Sequence, residues 1–170
     1  VIHYDSSGLF LREGDQVILS AGRNLPDNFL GRRLLLTNLN LTLEPFRNKQ
    51  SLIVADVQQH FHWHNWPGGE KIRTWMGAPL LIQDEAIGVL TADNFSPAIY
   101  SEEEAQILQI FANQAAIAIN NARLYTSAQQ EIAERTQAQQ SLAQARDQAL
   151  AASNLKTELL AKVSHELRTP

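Results

Sequence analysis

The chain has 170 residues, 44% of them hydrophobic and 19% charged, with a formal net charge of −4. That length allows one domain with a real core and an appendage, and the mild acidity offers no basic patch for nucleic acid. There is no cysteine, which excludes disulfides, thiolate metal sites and thiol nucleophiles within the chain, and no apolar run approaches the roughly 20 residues of a membrane helix.

The chain divides into two halves. All eight glycines lie at or before Gly88, and the 72 residues between Pro97 and Pro170 contain neither glycine nor proline. These two residues punctuate chains, so the first half reads as mixed and punctuated and the second as long uninterrupted helix. In the first half, "GLFLRE", "GD" and "QVILSAGR" read as a hairpin turning at Gly14-Asp15. "LPDNFLGRR" and "LNLTLEPFRN" read as short helical turns, and "SLIVADV" as a short central strand. "GAPLLIQDEAIGVLTAD" reads as a second hairpin with Gln83, Asp84 and Glu85 near its turn. Five or so strands with helices outside them predict an α+β domain around a central antiparallel sheet. No signal peptide is visible and the first residue is valine, so the sequence reads as an excerpt of a cytoplasmic protein, with membrane attachment upstream of Val1 left open.

The helical half opens on a capping box, Ser101-x-x-Glu104, with Glu102 and Glu103 adding acid at the positive end of the helix dipole. Apolar residues run at Ala105, Leu108, Ala112, Ala115, Ile119 and Ala122, and a second stripe at Ile107, Ile110, Ile117 and Leu124. One face packs on a sheet; the second meets either a partner helix or a deeper core of the same chain. From Ser127 to Ser153 the sequence turns to Gln and Ala, good helix formers with a thin seam at Tyr125, Ile132, Gln139, Leu142 and Ala149. Isolated helices are marginal in water, so this segment is either half of a weak parallel coiled coil or a solvated spacer.

The residues "IRTWMGAPLLIQDEAIGVLTADN" and "YSEEEAQILQIFANQAAIAINNARLY" resemble the C-terminal part of a GAF domain, a small-molecule sensory module. "YDSSGLFLREGDQVILSAGR" and "SLIVADV" fit the earlier strands of that family more loosely. The resemblance covers residues 4–125, with the family's N-terminal helix falling before Val1. It implies an antiparallel sheet with helices on one side and a ligand pocket on the other. Cyclic-nucleotide-binding members carry Asn-Lys, Phe and Asp-Glu where this chain has Asp93-Asn94, Tyr100 and Glu103-Glu104; the lysine is lost, which argues against cyclic GMP or AMP. Bilin-binding members attach the chromophore through a cysteine, so a covalent bilin is excluded, and no matching His-bearing helix follows "SLIVADV" to hold one non-covalently. The ligand stays unknown.

In "HFHWHNW", His60, His62 and His64 alternate with aromatic residues. In a strand all three imidazoles point the same way, as a zinc, copper or haem site requires; in a helix only His60 and His64 share a face. The GAF resemblance implies a loop or short helix here, and no carboxylate or cysteine stands immediately alongside, so no metal site is assigned. Trp63, Trp66 and Trp75, with Phe61, read as a packing cluster at the pocket rim that also suits an apolar or planar ligand.

The chain closes on "SHELRTP", which follows the helical "LKTELLAKV" and resembles the phosphoacceptor box of sensor histidine kinases, with His165 at the phosphoacceptor position. Neutral imidazole is a nucleophile near physiological pH, able to take the γ-phosphoryl group of ATP. Lys162 and Arg168 lie three residues either side of His165, on the same helix face, placed to stabilise the charge of phosphohistidine. In the family, the acid at the place of Glu166 is credited with orienting or deprotonating the histidine. Leu159, Val163 and Leu167 give the apolar stripe of a helix in a dimeric four-helix bundle. The Asn-rich and glycine-rich boxes of the family's ATP-binding domain are absent, so the chain carries an acceptor and ATP serves the parent kinase.

The expected layout is a GAF domain over residues 1–126, a coiled-coil linker over 127–156 and the start of a kinase dimerisation and phosphoacceptor helix over 157–170. The expected function is the sensory and dimerising part of a two-component signal-transduction protein, a homodimer through the last GAF helix and linker, with a response-regulator receiver domain as phosphoryl acceptor. The alternative is a ligand-free GAF spacer. An enzyme acting in the pocket has no catalytic triad, carboxylate pair or phosphate loop to support it.

Overall fold

The computed structural model describes residues 2–26, 28–63 and 69–166, with the backbone alone at 165 and 166. The chain separates into two compact units, residues 1–121 and 122–170.

The first unit is built on a six-stranded sheet. Its strands are β1 (Ser6–Glu13), β2 (Gln16–Arg23), β3 (Arg33–Leu35), β4 (Leu52–Val54), β5 (Thr74–Ile82) and β6 (Glu85–Asn94). They lie in the order β3-β2-β1-β6-β5-β4, and every pairing is antiparallel. Both expected hairpins form. Gly14, between the paired Glu13 and Gln16, has φ of 63°. In the second hairpin Gln83 and Asp84 both take positive φ, 47° and 65°, the requirement of a two-residue turn whose twist matches the strands.

Two expectations for the first half are corrected. "SLIVADV" yields a three-residue edge strand, not a central one: β4 pairs with β5 alone. Asp56 stops it, accepting from the Gln58 N–H at 3.2 Å and pairing with Arg73 through 3.1 and 2.6 Å contacts. Its apolar residues serve a local cluster, in which Val54 and Val57 pack with Leu41, Ile72 and Trp75. "LPDNFLGRR" gives two separate four-residue turns, closed by the Phe29 N–H to the Pro26 carbonyl and the Arg32 N–H to the Phe29 carbonyl, in place of a helical turn. Leu34 is then drawn into the core against Val17 and Leu43, which makes β3. "LNLTLEPFRN" is helical: Asn40 caps a 3-10 turn over Leu41–Leu43 by accepting from the Thr42 N–H at 2.9 Å, and α1 (Glu44–Asn48) follows with Pro45 in its first turn.

Alternation along β5 and β6 sets the two faces of the sheet. Met76, Ala78, Leu80 and Ala92 pack on Leu108, Ala112 and Ala116 of α2 (Glu102–Glu166). Trp75, Thr91 and Asp93 face the other side, toward a cavity. The start of α2 is the capping box read from sequence: the Ser101 N–H donates to Glu104 at 2.8 Å, and the Glu104 N–H reaches Ser101 Oγ at 3.5 Å. Of the two stripes, Ala105, Leu108 and Ala112 are buried, while Ile110, Ile117 and Leu124 are exposed. Gln109 ties the helix to the sheet, donating to the Pro79 carbonyl at 3.0 Å.

The second unit is the remainder of α2. Every side chain described from Ala122 onward is exposed, Leu142 at 72% and Ile132 at 64% among them. Its internal support is local, such as the Glu131–Arg135 pair at 2.6 Å one turn apart.

Candidate functional site

On the sheet face away from α2 lies a cavity of about 60 Å³. Its floor comes from the strands: Gly8 and Phe10 of β1, Leu19 of β2, Trp75 of β5, and Thr91 and Asp93 of β6. Its walls come from connections, with Leu25, Phe29 and Arg32 on one side and Thr42, Trp63 and Ile72 on the other. The Arg32 guanidinium lies 4.1 Å from the Phe29 ring centroid, which holds this charged wall residue against an aromatic face. Thr91 Oγ1 donates to the Gly8 carbonyl at 3.3 Å.

Asp93 is the chemically distinctive group. It is buried and accepts from Ser6 Oγ at 2.8 Å. Burial pushes its carboxyl up to about 7, opposed in part by the Ser6 hydrogen bond. The cavity therefore holds an acid that changes charge near neutrality, beside threonines and apolar walls. Such a lining suits a small, largely apolar ligand with a few hydrogen-bonding atoms. Next to it, burial raises the Tyr100 hydroxyl, with the charges of Asp93, Asp5 and Glu104 acting in the same sense; that hydroxyl has no hydrogen-bond partner among the described residues.

The residues singled out from sequence are placed as follows. Trp63 is half-buried beside Trp75 and lines the cavity. Trp75, 2% exposed, belongs to the floor, deeper than the expected rim. Phe61 is not part of that cluster: it is 83% exposed and contacts the imidazoles on either side, with its ring centroid 5.3 Å from that of His60 and 3.9 Å from that of His62. Trp66 and His64 lie outside the described residues. At the positions compared with cyclic-nucleotide binders, Asn94 accepts from the Ser96 N–H at 2.9 Å and Glu104 closes the helix cap.

The sequence reading found no carboxylate near the histidines. The fold supplies one: Glu44, the first residue of α1, lies 2.7 Å from His62 Nδ1 and 3.9 Å from His60 Nε2. Sequence offers no signal for this, because the partners are brought together by tertiary structure. Asp93 did leave a trace, as an acid inside the apolar run "IGVLTAD". At the chain's other end, His165 and Glu166 fall on the last turn of α2, and Lys162 is exposed. Arg168, Leu167 and the closing proline lie outside the described residues.

An antiparallel sheet with a helix on one face and a loop-walled cavity on the other defines an α+β domain of the ligand-pocket type. The family model for the GAF domain matches residues 3–120, and the chain belongs to that family. It is 33% identical over 140 residues to the circadian input-output histidine kinase CikA of Thermosynechococcus vestitus, a match covering 71% of this chain and 18% of that protein. It is also 33% identical over 93 residues to the hybrid signal transduction histidine kinase G of Dictyostelium discoideum, covering 54% of this chain and 2% of that protein. The chain thus spans a small part of each relative. Among solved structures, the GAF domain of a phosphoenolpyruvate-protein phosphotransferase (ptsP) from Coxiella burnetii superposes with a TM-score of 0.68 at 23% identity, over 73% of this chain and 76% of that one; this likeness concerns the fold. No helix among the described residues is long and apolar enough to cross a membrane.

Proposed function

We propose that the chain is the sensory and dimerising segment of a two-component sensor histidine kinase, passing a GAF-domain signal through a helical linker to the phosphoacceptor His165. The observation that carries this reading is α2 itself. One helix starts in the core of the GAF domain, at residues packed behind the cavity-bearing sheet, and runs to His165. Along it, Ile110, Ile117, Leu124, Tyr125, Ile132 and Leu142 are exposed, the pattern of a helix that gains its partner from a second copy. The similarity to two histidine kinases supports the same reading. A ligand that alters the sheet would bias the packing of the first turns of α2, and a thin seam with Gln139 in it lets the linker change register at low cost. Phosphohistidine would then pass its phosphoryl group to a response-regulator receiver domain.

The test is phosphorylation with labelled ATP in the full-length kinase that carries this segment. The expected result is acid-labile label that His165→Gln abolishes; label that persists in that variant overturns the assignment. One observation favours the ligand-free spacer as a second reading: the cavity volume of about 60 Å³ is well below the roughly 300 Å³ of ordinary ligand pockets. Native mass spectrometry of the purified chain, with its absorption spectrum, separates the two by reporting dimer mass and any co-purifying small molecule.

A further inference from the structure

We propose that Glu44, His60 and His62 form a binding site for a divalent transition-metal ion beside the cavity wall. One donor atom from each of the three lies within 4.8 Å of the others. His62 Nδ1 is 2.7 Å from Glu44 Oε1, and His60 Nε2 is 3.9 Å from the same oxygen. A hydrogen-bonded His62–Glu44 pair accounts for the first distance. It leaves unexplained why a second imidazole turns its Nε2 toward the same carboxylate from beyond hydrogen-bond range. With metal–ligand bonds of about 2.0–2.2 Å, donors of a tetrahedral ion sit roughly 3.3 Å apart, so modest side-chain shifts close the set.

Two imidazoles and one carboxylate are the donors of three-ligand zinc sites and of non-haem iron sites, which keep a further position for water or another ligand. The three side chains are about one-fifth exposed, at 23%, 20% and 19%, so an ion can enter from solvent. The scaffold joins the contributing segments without metal. The Leu41 N–H donates to the His62 carbonyl at 3.1 Å, and the His60 N–H donates to the Val57 carbonyl at 3.0 Å. Ligation must place each ring proton on the nitrogen away from the ion. In His62 it moves off Nδ1, replacing the Glu44 hydrogen bond with metal bonds. In His60 it moves onto Nδ1, giving up the weak 3.3 Å contact that this atom accepts from the His62 N–H. Trp63, next in the chain, lines the cavity, so an ion here would fix the segment that carries one cavity wall. The assignment rests on this geometry alone and stands apart from the phosphoacceptor reading.

The test uses the 170-residue chain, stripped with a chelator and titrated with zinc by calorimetry and with Co²⁺ by visible absorption. One ion per chain and a Co²⁺ ligand-field band are expected. Glu44→Gln keeps an oxygen to accept from His62, and so keeps the metal-free fold, while removing the charged ligand. His60→Asn removes a ring outside the His62–Glu44 hydrogen bond. Each is expected to weaken zinc binding by at least about tenfold, since even groups that merely support a ligand are worth 10–100-fold. His3→Ala, an exposed histidine elsewhere, is expected to change nothing. Circular dichroism confirms that each variant is folded. Absence of zinc binding, or binding that Glu44→Gln and His60→Asn leave within about twofold of the parent, overturns the site.

Discussion

Residues 102–121 and residues 122–166 belong to the same helix, yet they are held by different physics. The first stretch buries Leu108, Ala112 and Ala116 against the sheet, and its helicity is secured by tertiary packing. Among its described side chains the second buries none, though its Ala, Gln, Glu and Arg favour helix as strongly. Good propensity makes a helix possible; it does not by itself make one stable in water. The contrast separates a stripe covered by the sheet, at Leu108, Ala112 and Ala116, from one that is exposed, at Ile132 and Leu142.

The sharpest way to break this comparison is a matched pair of truncations. Leu108→Ala is expected to destabilise the GAF unit by roughly 2–5 kcal/mol, as a lost core leucine does, read from the denaturant midpoint. Leu142→Ala is expected to leave that midpoint within about 0.5 kcal/mol and, on the proposed dimer, to weaken self-association in sedimentation. Equal effects on the GAF unit would refute the division.

A second measurement tests the cavity's acid. Because the folded carboxyl of Asp93 is raised from 3.8 to about 7, the folded chain holds a proton that the unfolded chain has released across that window. The associated stability is fully present below pH 3.8 and is lost as pH rises through about 7. The loss is on the order of 4 kcal/mol. Asp93→Asn is expected to flatten stability against pH over this range; an unchanged slope would assign it to other groups. A smaller effect concerns the boundary of the helix. Ser101→Ala removes the cap and is expected to cost about 1 kcal/mol in the GAF unit, measured by thermal unfolding.

Legibility from sequence followed the range of the interactions involved. Gly14-Asp15, Gln83-Asp84 and the Ser101–Glu104 box are set by neighbours two or three residues apart, and each was readable with its turn or cap. The two-faced stripe of α2 was readable because helical period is itself local. β3 was missed, since Arg33–Leu35 becomes a strand only when Leu34 meets Val17 and Leu43. The edge position of β4 was missed for a related reason: an apolar run looks the same at the centre of a sheet as under a local cluster, and Asp56 ends it by bonding Arg73, 17 residues on. The convergence of Glu44 on His60 and His62 lay further out of reach, because the sequence gives no clue to which loop folds over which helix.

Gly77 carries a consequence for anyone wishing to enlarge the chamber. A methyl group there would overlap the Trp75 indole and press on Pro45, the second residue of α1. The indole occupies this space because a hydrogen stands where other residues have carbon. Gly77→Ala would therefore act as a wedge, tilting the indole out of the floor or lifting the short helix from the strands. The position of the cavity's largest floor residue is thus tied to a single vacancy on β5, one that any redesign of the chamber would have to respect or deliberately fill.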